Sequence, residues 1–373
     1  MSVLFDYLDW RGDLSFDADP PNEADCYLIS KIGCPNLTGI VPFYDQEVLF
    51  TDVAEEYRTR NEKDGASLGV ATSPMVLESF YRLPSVRRYS SLMLSGFRRT
   101  VDLKNTEQFS ALTVHIPGGP FFITFRGTDD NIVAWKENFH MSVMDMIPAQ
   151  KDALNYLRWA LDTYDGEFIV CGHSKGGNLA VYAASMVPGE MQDRIKAVYS
   201  FDGPGFMDDF IDEEGYLRIL PKVHMLVPQN SIVGLLLSAA KEPEVVSCGC
   251  FGPRAHDGFT WDVKGTGFVR AESLSRSSAL FRKALSETLS GMSMEERESF
   301  IDGFFGIMTS TGAFTLTDLT ESGLLKSLEI AQSLGRDKEV QKFALSMITN
   351  TLADVRLRKR MNRYSRRMRR RER

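Results

Sequence analysis

Short apolar runs alternate with stretches of helical spacing between residues 111 and 228, and this alternation limits the folds open to the chain more than any other feature. Phe121 to Phe125 is apolar apart from Thr124, the pattern of a strand covered on both faces. A tight turn, Ile116-Pro-Gly-Gly-Pro120, joins it to a strand-like run that begins at Ala111. Ala153, Leu154, Tyr156, Leu157, Ala160, Leu161 and Tyr164 then recur at helical spacing, and a second apolar run, Phe168 to Cys171, follows Asp165-Gly166. The pattern repeats with a helix over Asn178 to Met186 and strands over Ala197 to Phe201 and Val223 to Val227. Strand, helix, strand units of this length predict an α/β fold, a mostly parallel sheet flanked by helices.

Outside that core the texture differs. Residues 1–100 are mixed, with a helix predicted over Pro74 to Arg82, and read as an N-terminal cover or cap. Residues 101–270 read as the core. After about Val269 strand signals stop, so 271–355 reads as a helical C-terminal extension or lid. Within it, Ser293 and Glu296 have capping-box spacing, and Phe300, Phe304, Phe305 and Met308 are candidate lid residues. Val340, Phe343, Ala344, Met347, Thr351 and Val355 mark one face of a long helix.

The net charge of -7 conceals an asymmetry. The tail Arg356 to Arg373 holds eleven basic residues and one acid, leaving 32 basic against 49 acidic residues in the body. An acidic body argues against nucleic acid as a partner. For the tail, a solvated helix end, an anionic membrane surface and, least favoured, RNA are the readings left open.

The five cysteines, Cys26, Cys34, Cys171, Cys248 and Cys250, are too few and odd in number for a disulfide framework, and Cys248-Gly-Cys250 lacks the second ligand pair of a zinc site. The N-terminus carries acids where a secretory signal needs basic residues, and no run approaches the length of a membrane span. A cytoplasmic protein without metal or organic cofactor is expected.

Chemistry concentrates at Gly172-His173-Ser174-Lys175-Gly176-Gly177, directly after an apolar strand and at the opening of a helix. It matches G-x-S-x-G, in which a serine on a sharp strand-to-helix turn projects its hydroxyl and small residues two positions either side avoid collision. The backbone N–H of Lys175, the residue after this nucleophile, would donate to a developing oxyanion. The spacing of a phosphate-binding P-loop is absent.

A serine nucleophile needs a base, and five histidines are available. His173 belongs to the turn itself, His224 lies in a strand, and His115 and His140 precede the elbow. His256 remains, after the last core strand, and satisfies the order Ser, acid, His. For the acid, Asp202 in Ser200-Phe201-Asp202-Gly203-Pro204-Gly205 ends a strand. A neutral Asn230 or Ser231 after the strand Val223 to Val227 is the alternative orienting position.

Phe125-Arg126-Gly127-Thr128, followed by Trp135 and Asn138 and then by the elbow, resembles the class 3 lipase branch of the α/β-hydrolases over about residues 110–265. Within that branch the chain most resembles a bacterial lipase-like group. The resemblance implies a serine esterase with Thr128 as second oxyanion donor. It also implies an aspartate after Val227, where this sequence has Asn230-Ser231 instead, so Asp202 or a neutral residue must orient His256. Read without the resemblance, Arg126 is a strand-end charge that could simply pair with Asp129 or Asp130.

The expectation is a hydrolase that cleaves a carboxylic ester, an acyl lipid above a small polar ester, through Ser174, His256 and Asp202. Ile232, Val233, Leu235, Leu236 and Leu237 are candidates for an acyl-binding wall or for core. A catalytically weakened binding module for lipid or protein, and a thioesterase or peptidase, are the rival functions.

Overall fold

The computed structural model describes residues 3–298 except 63, 64, 67, 70, 71, 130, 131, 252, 253, 281 and 284–292. The lid candidates Phe300, Phe304, Phe305 and Met308, the helix of Val340 to Val355 and the tail Arg356 to Arg373 lie outside the described residues. The capping box is present: Ser293 N–H donates to Glu296 Oε2 (2.8 Å) and Glu296 N–H to Ser293 Oγ (3.2 Å).

Eight strands form one sheet in simple chain order: β1 (Val48–Leu49), β2 (Met93–Asp102), β3 (Glu107–His115), β4 (Phe121–Phe125), β5 (Phe168–His173), β6 (Ile195–Phe201), β7 (Val223–Pro228) and β8 (Glu244–Val246). β1 to β4 pair antiparallel, β4 to β8 parallel. A separate hairpin pairs β9 (Val263–Lys264) with β10 (Gly267–Phe268). The helices are α1 (Val3–Arg11), α2 (Glu23–Ser30), α3 (Phe50–Arg60), α4 (Pro74–Arg82), α5 (Ile132–His140), α6 (Pro148–Thr163), α7 (Lys175–Met186), α8 (Gly189–Asp193), α9 (Asp208–Ile211) and α10 (Glu214–Ile219).

A strand order that never reverses has a consequence for packing. Crossovers between parallel strands are right-handed, so connecting helices accumulate on one face. Residues of α6, α7 and α10 accordingly pack with Phe121, Ile123, Phe125, Phe168, Val170, Val198 and Met225. Side chains alternate along a strand, so Phe122, Ile169, Cys171, Phe201 and Leu226 point the other way and need a different cover. Residues of α1 to α4, with Trp261 and Phe268 near the hairpin, supply it.

The segment before residue 100 thus adds two strands to the sheet and covers its second face. One buried cluster ties it down. Arg88 donates to both oxygens of Asp25 (2.9 and 2.6 Å) and to the carbonyls of Leu14, Asp19 and Pro20, while the hydroxyls of Tyr7 and Tyr89 donate to Asp25 Oδ1. The described helices include none long and apolar enough to cross a membrane.

Candidate active site

β5 ends at His173 and α7 begins at Lys175, so one residue must turn the chain. Ser174 does so at φ 60°, ψ -132°, a conformation that side chains with a Cβ adopt only under strain. Ser174 N–H donates to Phe201 O (2.9 Å), and its carbonyl accepts from Gly177 N–H (2.8 Å), which holds the turn. The flanking glycines are required by contact. A Cβ on Gly172 would lie 2.1 Å from Gly176 O, and one on Gly176 would lie 2.1 Å from Phe125 O. Gly127, in the turn after β4, presses on the same elbow, where a Cβ would meet His173 O at 2.5 Å and Ser174 Cβ at 3.2 Å. Ser174 is 9% exposed, and its hydroxyl makes no hydrogen bond among the described residues.

Asp202 follows β6, is fully buried and has φ 50°. His256 Nδ1–H donates to its Oδ2 at 2.6 Å. Its Oδ1 accepts from Ser231 Oγ (2.5 Å) and from Gly234 N–H (3.1 Å). Gly234 is fitted to that contact, since a Cβ there would stand 2.3 Å from Oδ1. The three orienting candidates therefore separate. Asp202 touches the imidazole, Ser231 touches Asp202, and Asn230 turns to another task, donating to Cys250 O at 2.7 Å. Nδ1 being committed to Asp202, Nε2 is the free nitrogen of the His256 ring.

His173 contributes where the sequence showed only a neighbour of the nucleophile. Its Nε2–H donates to the backbone carbonyl of His256 at 2.6 Å, with ring centroids 4.4 Å apart. Burial, reinforced by Lys31 and His256, pushes the His173 pKa well below its ordinary value, so the ring is a neutral donor. Lys31 lies over the ring of Tyr27, 4.8 Å from its centroid, and burial pushes the lysine down to about 8.

The side chain of Lys175 runs away from the turn into a buried ion pair. Its Nζ donates to Glu137 Oε2 (2.8 Å) and to Gln108 O (2.5 Å), and both side chains are fully buried. Glu137 also accepts from Gln108 N–H (3.0 Å) and from Ala149 N–H (3.0 Å). The location explains the need. β4 ends with the pair Ala111 and Phe125, so the backbone of Gln108 would face an open edge, and the ion pair occupies it. One residue on from Glu137, Asn138 Nδ2 donates to Thr128 Oγ1 at 2.6 Å, leaving the Thr128 hydroxyl hydrogen free to donate elsewhere.

A second polar connection runs from α6 through α7 to the acid's loop. Gln150 Nε2 donates to Asn178 Oδ1 (2.9 Å), and Asn178 Nδ2 donates to Gly205 O (2.8 Å). Glu137, Gln150, Asn178 and His173 were not singled out from sequence for these roles. The available signal was Lys175 itself, since a charge inside an apolar strand-turn-helix step must find a buried partner.

The apolar run after β7 divides rather than forming one wall. Ile232 is exposed, Leu235 is buried, and Leu237 packs against the crossover-helix core. Arg126 does pair with Asp129, as an ion pair of 3.9 Å from Nη1 to Oδ2 that is too long for a hydrogen bond. The described residues contain no cluster of three or more His, Cys, Asp or Glu side chains arranged to hold a metal ion.

The sequence model of the Mbeg1-like family matches residues 83–306 of the chain. No curated protein matches it. Among solved structures, the crystal structure of M37 lipase aligns with 68% of this chain and 82% of its own, at 12% identity and a TM-score of 0.36.

Proposed function

This chain belongs to the Mbeg1-like family, and on that premise we propose that it is a lipase-like serine hydrolase that cleaves a carboxylic ester of an acyl lipid. The observation that carries the reading is the 2.6 Å bond from His256 Nδ1–H to the buried Asp202, on the same strand ends as the strained Ser174 turn. A buried carboxylate on Nδ1 fixes the ring tautomer and stabilises the imidazolium that forms when Nε2 takes a proton.

In this mechanism Ser174 Oγ attacks the acyl carbonyl as His256 Nε2 accepts its proton. The tetrahedral oxyanion receives the Lys175 N–H, which as a first-turn helix donor has no intrahelical acceptor, and the Thr128 hydroxyl. His256 then protonates the leaving alcohol. Water, deprotonated by the same nitrogen, hydrolyses the acyl-enzyme on Ser174 and regenerates the serine. Ser231 and Gly234 hold Asp202, so Asp202 takes the place of the aspartate missing after β7.

Labelling with a fluorophosphonate probe at pH 7 to 8 tests this. Wild type should react, and Ser174→Ala and His256→Ala should not. A chain-length series of oxygen esters and thioesters then fixes the acyl donor. A folded wild type that resists the probe would leave a non-catalytic module for lipid or protein, a reading favoured by one observation, the Ser174 hydroxyl that makes no hydrogen bond among the described residues.

A further inference from the structure

On the face of β3 away from the crossover helices, three buried polar atoms have no hydrogen-bond partner among the described residues: Oε1 and Nε2 of Gln108 and Oγ of Ser110. Gln108 is fully buried and Ser110 is 1% exposed. Two residues apart on one strand, they share a side of the sheet. Arg99 of β2 pairs with Ser110 across the ladder, and Arg126 N–H donates to Ser110 O at 2.9 Å from the other side. The Arg126 side chain is 8% exposed and that of Arg99 32%. Both guanidiniums converge on one atom, Asp129 Oδ2, at 3.7 Å for Arg99 and 3.9 Å for Arg126, and neither makes a hydrogen bond among the described residues.

Folded proteins pair nearly all their buried polar groups, so a cluster of unpaired ones beside two guanidiniums that share a single carboxylate oxygen, each in an ion pair longer than a hydrogen bond, calls for an occupant. Arg99, Arg126, the Ser110 hydroxyl and Gln108 Nε2 are donors suited to a tetrahedral oxyanion. Gln108 Oε1 is an acceptor and asks for a hydroxyl on the same ligand. Position adds the last constraint, because Gly127, the next residue after Arg126, lies against His173 and Ser174.

We propose that Arg99, Gln108, Ser110 and Arg126 form a subsite for the phosphate of a phosphate-bearing acyl ester with a neighbouring hydroxyl. The subsite rests on the ester-hydrolase reading only for the ligand's being a substrate. Anion binding stands apart from it.

Two measurements separate these parts. Thermal unfolding against inorganic phosphate, in wild type and in Ser174→Ala, should show saturable stabilisation in both and its loss in Gln108→Leu and Arg99→Gln. Arg99→Gln is the second variant because that side chain is partly exposed and tolerates change. Hydrolysis of a 1-acylglycerol 3-phosphate and of the 1-acylglycerol of equal chain length should favour the phosphate ester by about tenfold or more in kcat/KM, and the ratio should collapse towards one in either variant. Phosphate stabilisation with no substrate preference would overturn the substrate assignment in favour of free phosphate as ligand. No stabilisation of wild type or Ser174→Ala would overturn the subsite altogether. Stabilisation of Ser174→Ala by phosphate in a protein that hydrolyses neither ester would keep the anion site while refuting the hydrolase reading and with it the substrate.

Discussion

Gln108 belongs to two regions that treat polarity in opposite ways. Its backbone meets the elbow framework, where Lys175 and Glu137 close around it, Gln150 and Asn178 pair with one another, and Asp202 is held by His256, Ser231 and Gly234. Its side chain enters the patch with Ser110, where neither residue's side chain has a hydrogen-bond partner among the described residues. A satisfied buried network rigidifies, whereas an unsatisfied one costs stability for each group left unpaired. The framework has the character of a preorganised device, and the patch that of a place where something else must bind.

If the framework is preorganised for chemistry, the largest effect should come from its acid. Asp202→Asn should retain the fold and lower turnover on a soluble ester by about 10⁴, since the imidazole loses its tautomeric control. A drop of less than about tenfold would show that Asp202 does not orient His256. The ion pair comes next. Lys175→Met or Glu137→Gln alone leaves a buried partner uncompensated and should cost about 3–5 kcal/mol in denaturant unfolding, while the double replacement recovers most of that loss. Additive losses would mean the two side chains are not coupled.

Buried polar groups less well paired than those of the framework should behave in the reverse sense. Lys31 is a base whose folded pKa, about 8, lies below its ordinary 10.5. Below pH 8 it is protonated in both states and burial of the ammonium costs its full penalty. Between pH 8 and 10.5 the folded state sheds the proton first, so the penalty fades as pH rises. Lys31→Met should therefore stabilise the protein by about 3 kcal/mol at pH 7, with the gain gone above pH 10.5. A gain independent of pH would assign it to packing instead. The smallest effect is expected at Gln108→Leu, which should leave stability within about 1 kcal/mol of wild type or raise it, because the lost polar atoms have no partners to abandon. A loss of several kcal/mol would mean the Gln108 side chain is paired in solution.

Much of this was readable in local pattern. The strands Phe121 to Phe125, Phe168 to Cys171, Ala197 to Phe201 and Val223 to Val227 appear within two residues of the bounds expected from their apolar runs, and the helix Pro74–Arg82 coincides with its expected span. Runs of this kind record burial on both faces, which is why they can be read without knowing the neighbours. The strained turn at Ser174 was legible because Gly172 and Gly176 flank the serine at a fixed spacing, although the contacts that require them lie at Gly176 O, four residues from Gly172, and at Phe125 O on β4. The contributions of residues 48–49 and 93–102 to the sheet were not. β1 has two residues and β2 mixes buried with exposed positions, so neither carries a strong period.

For the site, residue type and chain order narrowed the candidates to Ser174, His256 and a choice of orienting groups, because a nucleophile, a base and an acid have few chemical identities and follow one order in this fold. Which group meets the imidazole depended on side chains 29 and 54 residues from Asp202 in sequence, Ser231 and His256, and no local pattern encodes such distances. The same holds for the partner of Lys175 at Glu137 and for the unpaired face of Gln108. A sequence shows that a buried charge needs a partner. Only the packed sheet, in which separate strand ends arrive side by side, decides which residue provides it and which polar groups are left waiting for a ligand.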